Sequence, residues 1–165
     1  MPDITVISPK EDPAGFWRSY AQSIGETVLG FCLARYVRGW KGFDAPLWGL
    51  FIAASGGARF HHFPHEGWFD ALSRTASGKE APREKTFFIP KERLLGAAFR
   101  MEKIWWKRLV FAPPPLITVR YRDESGGEAE AVMETGKEAE PLALIISALA
   151  SGGALPPSST LIAEP

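Results

Sequence analysis

The sequence predicts a mainly β domain closed by one C-terminal α-helix, and three observations support that class. Residues 115–122 and 128–135 alternate apolar with polar or charged side chains, and Asp123, Glu124, Ser125, Gly126 and Gly127 lie between them, a hairpin signature. Four runs rich in β-branched and aromatic residues come earlier, at 26–37, 47–54, 58–63 and 86–89, each bounded by glycine or proline. After the hairpin, Glu138, Glu140 and Pro141 precede the apolar run 142–149. The helix dipole favours acids there, and a first turn tolerates a residue without an N–H. Ser151, Gly152 and Gly153 then stop the helix, which is expected over 138–151.

The elements follow in order. Ile4, Val6 and Ile7 make a short run cut by Pro9 and Pro13, suited to an edge strand or to a segment draped over the domain. Residues 14–24 suit a short helix with Phe16, Trp17, Tyr20 and Ile24 along one side, ended by Gly25. The strand at 26–37 leads into a loop punctuated by Gly39, Gly42 and Pro46. Runs 47–54 and 58–63 form a hairpin across Ser55, Gly56 and Gly57. The polar stretch 73–85 reads as a mobile excursion, of a size that is usually functional or disordered.

Residues 91–103 support two readings. Glu92, Leu94, Leu95, Ala97, Ala98, Met101 and Glu102 all favour a helix. Against that, Leu95, Ala97, Phe99 and Met101 alternate with Gly96, Ala98, Arg100 and Glu102, as in a strand with one buried face, and 94–103 is counted as the fifth of seven strands. In the hairpin, Ile117, Val119 and Tyr121 share the inward face with Ala129, Ala131 and Met133. Arg120 then faces Glu130 and Arg122 faces Glu128, each pair worth a few tenths to about 1 kcal/mol. The domain organisation is an N-terminal extension over 1–25, a domain over 26–151 and a flexible tail over 152–165, where Pro156, Pro157, Ser158 and Ser159 stand.

Composition narrows the function classes. A chain of 165 residues with 45% hydrophobic and 23% charged residues suits one domain with its own core. Its formal net charge of zero lacks the basic footprint of a nucleic-acid binder. Cys32, the sole cysteine, excludes an intramolecular disulfide and a cysteine metal cluster, and suits a small core residue in a reducing compartment. Neither a secretory leader nor an apolar run of spanning length is seen, so a soluble cytoplasmic protein is expected.

Gly49-Leu50-Phe51-Ile52 leading through a turn to Arg59-Phe60-His61, Phe88-Ile89-Pro90 before the fifth strand, and the 120–134 hairpin before the helix carry a family likeness. Over residues 26–151 the chain resembles the pleckstrin-homology-like superfamily in its GRAM-like and bacterial branches. The resemblance implies a seven-stranded barrel, or a sandwich of two antiparallel sheets, closed by one C-terminal helix. It also implies a binding module for phosphoinositides, peptides or proteins rather than an enzyme. Only Arg35, Arg38, Lys41 and Arg59 lie near the first two strands, and the run 47–54 has no basic residue, which weighs against inositol phosphates.

Two clusters stand out as candidate sites. His61, His62 and His65 are the sole histidines, with Glu66 the adjacent carboxylate; a metal-dependent enzyme built on them is the catalytic alternative. Neighbouring strand residues point to opposite faces, so His61 and His62 do not converge and no metal is expected. Neither a Gly-x-x-x-x-Gly-Lys loop nor a Gly-x-Ser-x-Gly elbow occurs, and no cofactor or catalysis is expected. Lys103, Trp105, Trp106, Lys107 and Arg108, with Trp40 and Lys41, form the expected binding surface for a protein or peptide. The same residues suit an anionic membrane, placing the protein at its inner face, and the tryptophans equally suit the core of a small barrel. Residues 85–122 hold nine basic and two acidic residues, and 123–140 hold seven acidic and one basic, a polarity that suits homo-oligomers.

Overall fold

Period-two patterning dominates the chain, and strands dominate the structure. The computed structural model describes residues 13–62, 84–101 and 113–155. A helix α1 (Pro13–Ile24) leads into β1 (Val28–Arg38), β2 (Leu47–Ala54), β3 (Gly57–His62), β4 (Lys85–Pro90), β5 (Leu94–Arg100), β6 (Leu116–Arg122) and β7 (Glu128–Thr135), and α2 (Glu140–Ser151) follows. The expected run at 4–7, the tail from 156 onward and nearly all of the 73–85 excursion lie outside the described residues.

All seven strands among the described residues are antiparallel and belong to one open sheet, in the order β4-β3-β2-β1-β7-β6-β5. This corrects the expectation of a closed barrel or of two separate sheets. The sheet is continuous because β1 is shared: it pairs with β2 from Val28 to Tyr36 and with β7 from Ala34 to Arg38. It is open because no ladder joins β4 to β5 among the described residues. Yet only a single 3₁₀ turn, Lys91–Arg93, connects these two edges. A flat sheet would hold its outermost strands ~29 Å apart, whereas the chain from Pro90 to Leu94 spans at most ~15 Å. The sheet is therefore forced to curl.

Helix α2 lies in the trough of that curl, packed chiefly on β5 and also touching β1, β2, β3 and β6. Leu142, Ile145 and Ile146 join Phe51, Phe60, Ile117, Val119 and Met133 in one core. Small residues on the inner face make the room: a Cβ on Gly30 would lie 3.2 Å from both Leu142 Cδ1 and Ile145 Cδ1. The helix also replaces a missing strand partner. Ser147 Oγ accepts from the Ala97 N–H at 3.0 Å and donates to the Ala97 carbonyl at 2.9 Å, satisfying both backbone groups on the outer edge of β5. At its far end Gly152 adopts φ +65°, and Gly153 N–H reaches the Ala148 carbonyl at 3.1 Å, closing the helix as expected.

Helix α1 covers the opposite face of β1, where Trp17 stacks on Phe31 with ring centroids 3.8 Å apart. The link between them is pinned by Glu26, which accepts from the Gly56 N–H at 3.1 Å and pairs with Arg59. The Arg59 guanidinium lies 3.9 Å from the centre of the Phe88 ring.

The ambiguous stretch resolves as a turn followed by a strand, because pairing with β6 overrides helix propensity. A register shift falls between Leu94 and Gly96, and Gly96 takes φ +145°. Ala97 and Phe99 pack inward as expected, but before the shift it is Leu94, not Leu95, that enters the core, opposite Tyr121. The last hairpin has the expected register, with Arg120 opposite Glu130 and Arg122 opposite Glu128. Its ion pair runs diagonally instead, Arg120 Nη2 to Glu128 Oε2 at 3.0 Å, since strand twist brings one diagonal closer.

Removing the Ser147 hydroxyl leaves the Ala97 N–H and carbonyl unpaired at a partly buried edge. Ser147→Ala is expected to lower unfolding free energy by about 1–2 kcal/mol in urea titration, with faster hydrogen exchange at the Ala97 amide. Unchanged exchange there would show that the helix does not cap the edge.

Candidate binding groove on the outer sheet face

The mouth of the trough is closed by the β1–β2 loop, and this decides the role of Trp40. Gly39 turns the chain at φ +104°, where a Cβ would come within 1.7 Å of the Glu130 carbonyl oxygen. Trp40 then stacks on Phe87 at 4.6 Å and leans on Tyr121 at 5.3 Å. The Trp40 backbone N–H donates to Tyr36 Oη at 2.6 Å, Tyr36 Oη donates to the Trp40 carbonyl at 3.2 Å, and Tyr121 donates to the Gly39 carbonyl at 2.9 Å. Burial pushes the Tyr121 hydroxyl above its ordinary range, keeping it a donor. Trp40 thus packs against the aromatic core, while Lys41 is exposed. Lys103, Trp105, Trp106, Lys107 and Arg108 lie outside the described residues, as does His65.

His61 and His62 make separate contacts. His61 Nε2 lies 3.1 Å from Glu84 Oε2, with its ring 6.0 Å from that of Tyr20, and His62 Nδ1 donates to the Trp48 carbonyl at 2.6 Å. Among the described residues no three histidine, cysteine or carboxylate groups are placed to share a metal ion. Cys32 is buried between strands, and burial first, then the charge of Glu138, pushes its thiol up to about 12. At neutral pH it is a protonated core side chain and not a nucleophile.

Convergence of polar groups occurs elsewhere, on the outer face of β1, β7, β6 and β5. A groove of about 580 Å³ is lined there by Arg38, Val132, Glu130, Thr118, Arg120, Leu116, Ala98 and Arg100, and it continues around the β5 edge to Ser147 and Ser151. Its floor is one row of the ladder: Arg38 opposite Val132, Val132 opposite Thr118, Thr118 opposite Ala98. Val132 is only 5% exposed yet stands outside the inner core, as a floor residue should.

Two bulges build this groove. Strict alternation from inward Tyr36 would turn Arg38 inward as well, but a register shift between Tyr36 and Arg38 puts Arg38 opposite outward Val132. The shift at Gly96 does the same in β5: without it Arg100 would share the face of Leu94, and with it Arg100 lies opposite Leu116 on the outer side. Arg120 already points outward. Among the described residues Arg120 pairs with Glu128, whereas Arg38 and Arg100 have no carboxylate partner. Beside the groove, Leu33 and Trp48 are 60% and 57% exposed, next to the Arg35–Glu134 pair at 2.9 Å.

Period-two reading placed Arg100 and Arg120 outward but missed outward Arg38 and inward Leu94, because it carries strand phase through each bulge. Gly96 inside a strand was the available signal, since an interior glycine often marks such an irregularity. Comparison with family models, curated proteins and solved structures finds no match to this chain. Among the described residues no helix is long and apolar enough to cross a membrane.

The Cys32 thiol yields a pH signature. Its folded pKa is raised above the unfolded value of about 8.5, so its contribution is complete below that value and is lost as pH rises toward about 12. Wild-type stability is expected to fall relative to Cys32→Ala by about 1.4 kcal/mol per pH unit once the pH exceeds the unfolded value. Parallel urea midpoints for the two proteins across that range would contradict it.

Proposed function

We propose that the chain is a non-catalytic, pleckstrin-homology-like binding module that takes a protein or peptide partner in the outer-face groove. Seven antiparallel strands in this order, with a C-terminal helix packed in the curl, support the resemblance carried by the sequence. The observation that carries the binding reading is the pair of bulges, which turn Arg38 and Arg100 onto the face of Arg120 above an apolar floor. Guanidinium groups stay charged at any working pH, so they attract and orient rather than shuttle protons. The free, buried cysteine suits a cytoplasmic setting.

Thr118→Trp places an indole on the groove floor. Peptides selected from a displayed random library against the wild-type chain are expected to bind this variant at least about tenfold more weakly, with its thermal midpoint preserved. A selection that enriches nothing, or peptides indifferent to Thr118→Trp, would remove the groove reading.

Exposed Leu33 and Trp48 on adjacent strands favour a second reading, self-association through that patch. Sedimentation equilibrium is expected to give a defined dimer that Trp48→Asp dissolves; a monomer at every concentration excludes it.

A further inference from the structure

Arg38 and Arg100 give the groove positive charge that no carboxylate among the described residues matches. Arg38, Arg100 and Arg120 surround a floor of Ala98, Thr118 and Val132, and among the described residues Glu130 is the one carboxylate in its lining. Arg38 and Arg100 are exposed and find no carboxylate among the described residues. We infer that the occupant is an extended, carboxylate-rich segment of another protein, laid along β6 and β5 with acidic side chains on Arg100 and Arg120, an apolar side chain on the floor, and Arg38 adding positive charge at its side. This rests on the reading of the groove as a peptide site.

Spacing and charge both favour that occupant. Arg120 and Arg100 lie on neighbouring strands, two rows apart, with Thr118 and Ala98 in the row between. Their Cα atoms are therefore ~14 Å apart, the distance an extended peptide covers in about four residues. Acids at positions i and i+4 meet Arg120 and Arg100, and position i+2, on the same side of the ligand strand, meets the floor. Arg38 stands in the floor row two strands beyond Thr118, ~10 Å to the side, within reach of its long side chain. Glu128, Glu130 and Glu134 all lie on the outer side of β7. They oppose a broad anionic surface such as a bilayer, but a strand seated over β6 and β5 leaves them to one side. Paired guanidinium and carboxylate groups give the strongest hydrogen bonds available to such a ligand.

Fluorescence anisotropy on the full chain tests this. The probe is a labelled peptide of about twelve residues with glutamate at every fourth position and threonine, valine and serine in that order between; its glutamine counterpart is the control. The glutamate peptide is expected to bind about tenfold or more tightly than the glutamine one, and to weaken several-fold at high salt. The double variant Arg38→Ala, Arg100→Ala is expected to lose that preference with its thermal midpoint unchanged, and Arg18→Ala on α1 to keep it. The double variant Arg38→Gln, Arg100→Gln serves the same end should the alanine variant melt early. Equal affinity for the two peptides overturns the inference, and if both still respond to Thr118→Trp the peptide groove itself stands. Glutamate-dependent binding indifferent to Arg38 and Arg100 also overturns it. So does arginine-dependent binding to phosphatidylserine vesicles that exceeds binding to the peptide, which would place a lipid surface in the groove instead.

Discussion

Three residues, 91–93, tie together the two outermost strands of a seven-stranded sheet, and the curl they impose shapes the rest of the molecule. A curled sheet has a concave side too narrow for two large layers. The inner face accordingly alternates bulk with absence of bulk: Tyr36, Phe51, Phe60 and Phe87 fill the mouth, whereas Gly30, Ala53 and Ala58 leave space nearer the helix. Close packing in that confined volume gives α2 one seating, with Leu142 and Ile145 against Gly30.

Curling without closing leaves two edges, and the one on β5 is handled locally. On β5 the Ser147 hydroxyl supplies both a donor and an acceptor to Ala97, and Arg93 Nε donates to the Arg122 carbonyl at 2.7 Å near the strand start. A helix side chain thus does what a neighbouring strand would have done, while the bulge at Gly96 twists the edge. The same irregularity serves the groove, since it sends Phe99 inward and Arg100 outward from a stretch that begins with inward Leu94. Structure and candidate function meet in one residue with φ +145°, a backbone position suited to glycine.

Trp40 shows how composition misleads where topology decides. A tryptophan beside a lysine in a glycine-rich loop reads as a surface feature, yet the loop folds back because Tyr36 and Tyr121 hydroxyls, carried on inner-face positions of β1 and β6, bond its backbone. Once those bonds form, the indole has an aromatic bed of Phe87 and Tyr121 to lie on. By contrast Trp48, within a strand, stays exposed because its position faces outward beyond the reach of α1.

Local order determined much of the fold by itself. The hairpin register, the order of strands along the chain, the inward Ile117, Val119 and Tyr121, the α1 helix and the glycine stop of α2 all follow from spacings of a few residues, and such spacings are physical properties of a short chain. Which strands neighbour one another beyond the two hairpins, whether the sheet closes, and which faces Arg38 and Leu94 occupy were decided only in three dimensions. A bulge resets strand phase by one residue, and the partner that reveals it lies far away in sequence: Val132 for Arg38, Tyr121 for Leu94. Periodicity read along one strand has no access to that partner, so the groove became visible only once the ladders were formed.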